Sequence, residues 1–122
     1  MLKRIRLELA RTREFPEGNP GCGYEFVAPL DRDGHLDAEA WPEVKARCTV
    51  RRFWVGASDE LGRLIRTRNK SWAFSYAPGE DDDEPIFKLD RHLMQVGQYV
   101  TITEHHGIAR PFRVVGVTAA SG

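Results

Sequence analysis

The chain has 122 residues, of which 41% are hydrophobic, 10% aromatic and 30% charged, with 18 basic and 18 acidic side chains and no formal net charge. This length supports one core and one domain over residues 1–122, in a chain too apolar to be disordered and too charged for a membrane protein. Neutrality is also unusual for a nucleic-acid binder, although the charge here is unevenly distributed.

Met1 to Glu8 interleaves charge with Ile5 and Leu7 and holds no apolar signal-peptide core, so a cytoplasmic protein is expected. Ile5, Leu7 and Leu9 alternate with Arg4, Arg6 and Glu8, the period of a strand with one buried and one wet face. Phe15 to Gly23 concentrates glycine and proline and reads as a loop. Tyr24, Phe26, Ala28 and Leu30 resume the alternation, Pro29 suggests an edge or a strand end, and Asp31-Arg32-Asp33-Gly34 is a turn. Residues 37–46 form the one helix candidate, with Asp37 as a possible N-cap and Pro42 placed to interrupt it, so one or two irregular turns are expected.

Cys48 to Val55 reads as a strand, and Leu61 to Arg68 with Ser71 to Tyr76 as a hairpin turning at Asn69-Lys70. Glu80 to Glu84 is an exposed acidic loop, and Ile86 to Leu89 a short strand. Val96 to Glu104 and Pro111 to Val117 are rich in β-branched and aromatic residues and flank a Gly-bearing turn, the pattern of a hairpin. That run is similar in shape to hairpins of many small β-barrels, a likeness that carries no activity with it. The expected fold is mainly β: a small antiparallel β-barrel or roll of about seven strands with one short irregular helix.

The charge is blocked along the chain. Residues 45–70 carry eight cations against Asp59 and Glu60, and residues 71–90 carry six carboxylates against Lys88. Arg51, Arg52, Arg63, Arg66, Arg68 and Lys70, with Trp54 and Trp72, could bind single-stranded nucleic acid by pairing phosphates and stacking bases. A small barrel also needs large side chains inside, so the Trp72, Phe74 and Tyr76 stripe fits a core face better.

His92, His105 and His106, with Asp90 or Glu104, could hold a divalent metal in a metal site or metal-dependent enzyme, although adjacent histidines on a strand point to opposite sides. Cys22 and Cys48 lie outside any C-x-x-C spacing and read as reduced thiols. No catalytic residue can be named, and no cofactor is implied. The leading expectation is a non-enzymatic binding or protein-interaction module with an unknown protein partner. Nucleic acid stands as the alternative ligand, no membrane contact is expected, and self-association could run through exposed strand edges.

Overall fold

The computed structural model describes residues 1–76, 84–86, 93–104 and 107–120. Among them eight strands form one antiparallel sheet: β1 (Leu2–Leu9), β2 (Asn19–Pro29), β3 (Thr49–Phe53), β4 (Glu60–Arg66), β5 (Trp72–Ser75), β6 (Glu84–Ile86), β7 (Tyr99–Thr103) and β8 (Ala109–Ala119). Each strand pairs with the next, and β1 also pairs with β8, so the sheet closes into a barrel. The seam between β6 and β7 is thin, with Ile86 opposite Ile102 as its one register pair. Every strand therefore has a neighbour on both sides, and the side of β7 away from β8 is the least paired among the described residues. No helix of the described residues is long and apolar enough to cross a membrane.

The alternation in β1 works as expected: Ile5, Leu7 and Leu9 are buried inside, while Arg4, Arg6 and Glu8 face out. The interior is filled by aromatics from three strands. Tyr24 of β2 stacks at a tilt on Phe74 of β5 and meets Phe112 of β8 edge-on, each with ring centroids 5.1 Å apart. Phe26 contacts Phe74 at 5.2 Å. Such aromatic contacts add about 0.5–1.5 kcal/mol each beyond the area they bury.

The glycine-rich loop expected over residues 15–23 is shorter than that, because β2 already begins at Asn19. Its register against β1 shifts between Glu8 and Leu9, where a bulge absorbs the extra residues. Gly23 makes this crossing possible, since a Cβ there would lie 2.0 Å from the Leu7 carbonyl oxygen. Gly62 has the same role on β4, where a Cβ would lie 2.2 Å from the Ser75 carbonyl oxygen. Glycine in these strands permits close backbone approach as well as turning.

The helix is as short and irregular as its sequence suggests. One turn, α1 (Trp41–Val44), runs into a 3-10 turn over Lys45–Arg47. Pro42 sits in the first turn, where its missing N–H costs nothing, so it opens the helix and does not interrupt it. The Asp37 carboxylate accepts hydrogen bonds from the Glu39 and Ala40 backbone N–H groups and shapes the entry to the helix, although Ala40 occupies the N-cap position. The acidic run also differs from expectation at its end, because Glu84 is the first residue of β6. Residues 80–83 of that run, and 87–89 of the short strand expected over residues 86–89, lie outside the described residues.

Candidate functional site

We call the end of the barrel where β1 finishes the upper end, and the end covered by α1 the lower end. The two ends treat charge differently.

At the upper end, Tyr24, Arg52, Glu104 and Arg110 converge on the interior. Register places Tyr24 opposite Arg52 across β2 and β3, and Arg110 opposite Ile102 across β7 and β8. Glu104 follows β7 and is only 5% exposed. Its Oε2 accepts a 2.5 Å hydrogen bond from the Tyr24 hydroxyl and one from the Arg52 Nε at 2.9 Å, and pairs with the Arg52 Nη2 at 2.8 Å. Its Oε1 accepts from Arg110. Arg52 also faces Glu60 at 3.6 Å, and Arg110 reaches Glu14 at 3.4 Å.

The indole of Trp54 completes the cluster, with the Arg52 and Arg110 guanidinium carbons 4.3 and 5.2 Å from its ring centroid. Burial alone would lower the pKa of Arg52, but the Tyr24 phenol and the Glu104 carboxylate outweigh it and leave it raised. In Arg110 burial is likewise outweighed, by Glu104 first and then Glu14. Two guanidinium groups thus share three carboxylates in a locked set that has no charge to offer an anion.

The outer wall of β1, β2 and β3 is balanced in the same way. Glu25 pairs with Arg4, Arg6 and Arg51, Glu8 with Arg6, and Asp59 with Arg51. Arg6 and Arg51 also lie over the Phe53 ring, at 4.4 and 5.1 Å.

The lower end is built on two tryptophans. Trp41 of α1 donates its indole N–H to the Leu64 carbonyl of β4 at 3.2 Å and meets Trp72 edge-on at 6.0 Å. Trp72 is 1% exposed and belongs to the core, with Arg66 above its ring at 4.8 Å. Lys45 lies 5.7 Å from the Trp41 ring centroid. Cys48 ends the 3-10 turn, its carbonyl accepting from the Leu64 N–H at 2.8 Å, so the turn is tied to β4. Arg63 opposite Thr49, then Arg66, Arg68 and Lys70, continue along β4 and its turn.

The eight cations of residues 45–70 are thereby sorted. Arg51 and Arg52 take the two acids of the block, Asp59 and Glu60. Lys45, Arg47, Arg63, Arg66, Arg68 and Lys70 make no ion pair among the described residues.

The residues expected to bind nucleic acid are therefore divided between the ends. Arg63, Arg66, Arg68 and Lys70 stay together on β4 and its turn, Trp72 stands beneath them in the core, and Arg52 with Trp54 belongs to the upper cluster. Arg51 lies on the balanced outer wall. Lys45 and Arg47 join the lower group through a 3-10 turn that no strand pattern could place beside β4. Of the residues expected to hold a metal, Glu104 is committed to two arginines and a tyrosine, and Asp90, His92, His105 and His106 lie outside the described residues.

Two other features have local explanations. Both thiols are buried, and burial pushes the Cys48 thiol up to about 11, so it is a neutral thiol at physiological pH. A surface cleft of about 680 Å³ has an apolar floor of Leu30, Met94 and Val117, with Asp31 and Asp33 on its rim. Ligating atoms of Asp31, Asp33 and His35 lie within 4.8 Å of one another, but the Asp31 carboxylate is already accepting from the Asp33 and His35 backbone N–H groups, as an Asx turn requires. The His35 N–H is the main cause that holds the Asp31 carboxyl below its usual range.

Compared with family models, curated proteins and solved structures, the chain matches none.

Proposed function

We propose that this chain is a small non-enzymatic binding module that meets an anionic macromolecular partner with the lower end of its barrel. One observation carries the reading: six cations on adjoining segments have no ion-pair partner among the described residues, whereas Arg52 and Arg110 of the upper cluster and Arg4, Arg6 and Arg51 of the outer wall are paired. Unpaired like charges on adjoining segments raise the local potential and attract a ligand of opposite sign. The filled interior supports a surface mode, because the stacked Tyr24, Phe26, Phe74 and Phe112 occupy the space in which a wider barrel would hold a small ligand.

The test is an amide-shift titration of isotope-labelled protein with heparin-type oligosaccharide and with poly-glutamate, both used as charge-only probes. Saturable shifts over residues 41–49 and 63–72 that reverse with added salt are expected. Shifts confined to the upper end, or none with either probe or with nucleic acid, overturn the reading, as does a measured turnover that disappears in Cys22→Ala.

A further inference from the structure

We infer that the partner of the lower face is the sugar-phosphate backbone of a nucleic acid, held by charge without readout of the bases; this rests on the binding reading above. The composition of the face separates nucleic acid from an acidic protein. Protein interfaces place large apolar and aromatic side chains at their centre and are depleted in lysine, whereas nucleic-acid interfaces are more polar and much more positive. The 3-10 turn, the second half of β4 and the β4–β5 turn carry four arginines and two lysines and no carboxylate, and the strongly exposed large apolar residues, Met1, Val55, Leu61, Val96, Tyr99 and Ile108, belong to none of these segments.

The aromatics decide the mode of contact. Stacking on bases needs an open ring face. Trp72 is buried, and Trp41 is turned edge-on to it, with its N–H spent on Leu64 and Lys45 over its ring. Trp54, the remaining tryptophan, lies at the other end beneath two arginines. Phosphate contacts position a protein on a nucleic acid and carry no sequence information, so the complex is sequence-independent. Carboxylates at the same end, Asp37, Glu39 and Glu43, lie on the entry to α1 and in its first turn, off the segments that carry the six cations.

The consequence is a steep salt dependence. If all six cations reach phosphates, the slope of log K against log salt is about −5 on duplex and about −4 on a single strand, and duplex affinity falls about a thousand-fold between roughly 50 and 200 mM salt. The experiment is fluorescence anisotropy with labelled duplex DNA, duplex RNA and single-stranded DNA of several sequences, with poly-glutamate as competitor. It is run on the wild type and on Arg63→Gln/Arg68→Gln, two exposed positions whose loss leaves the core intact.

Expected are affinities equal within a few-fold across sequences, a slope that shrinks by about two in the double variant, and weak competition by poly-glutamate. Tighter binding of one nucleic-acid form names the physiological form and upholds the inference. A sequence preference, an unchanged slope in the variant, or competition by poly-glutamate at matched charge overturns it. Poly-glutamate binding without nucleic-acid binding removes the inference and leaves the binding module standing. The absence of both removes the two together.

Discussion

Arg52 and Arg110 at the upper end, and Arg63, Arg66 and Arg68 at the lower end, are the same side chain in opposite circumstances. The upper pair is clamped by Glu104, backed by Glu14 and Glu60, and laid over Trp54. The lower three have no carboxylate partner among the described residues, and one of them, Arg66, covers the buried Trp72. A guanidinium already held by carboxylates contributes to the fold and is closed to an external anion, whereas one without a partner contributes little to the fold and stays open to binding. Within one small barrel, then, a basic residue's role follows from whether the sheet delivers a carboxylate to it.

Substitutions at the two ends should separate stability from binding in opposite directions. The largest effect is expected from Glu104→Gln, which leaves two guanidinium groups without their shared charge inside the barrel mouth. Removing one partner of a buried ionic set costs about 3–5 kcal/mol, to be read from urea unfolding midpoints, with anion binding by the remaining folded protein unchanged. Retention of wild-type stability would show that the cluster is a surface ornament and dissolve the contrast between the ends.

Gly23→Ala comes next. The added methyl would meet the Leu7 carbonyl, so the bulge between β1 and β2 must open, at a cost of about 1–3 kcal/mol in the same assay.

Cys48 gives a pH dependence at the seam between the 3-10 turn and β3. Its thiol titrates near 11 in the fold against 9.0 when unperturbed, because burial disfavours the thiolate. The folded pKa of this acid is raised, so its contribution to stability is complete below pH 9.0 and is lost as the pH climbs through about 11. Unfolding midpoints of the wild type should therefore fall more steeply over that range than those of Cys48→Ala, and parallel curves would refute the assignment.

The smallest effects belong to the lower end. Arg63→Gln/Arg68→Gln should change stability by no more than about 0.5 kcal/mol while weakening anion binding. Lys70→Gly should raise thermal stability by up to about 1 kcal/mol, since Lys70 has φ of 60° in a turn where glycine carries no steric penalty. It should also remove one cation from the salt slope, so stability and binding move oppositely at a single residue.

What the sequence by itself determined is the material of each strand. The alternation of Ile5, Leu7 and Leu9, the Trp72 and Phe74 face and the final hairpin are local patterns, because neighbouring side chains on a strand point to opposite sides whatever the strand pairs with. The basic block was equally legible, as a count. Only the tertiary structure decided which of its members are available. Arg52 finds Glu104 across 52 positions, through a register that sets Tyr24 beside it and a barrel closure that brings the end of β7 to the same mouth. Lys45 and Arg47 reach β4 because a 3-10 turn folds against it. Trp54 and Trp72, equivalent on the page, are sent to opposite ends, one beneath two arginines and one into the core. Charge pairing depends on distance in space, and in a closed antiparallel barrel that distance is fixed by register and closure, which the order of residues along one strand does not contain.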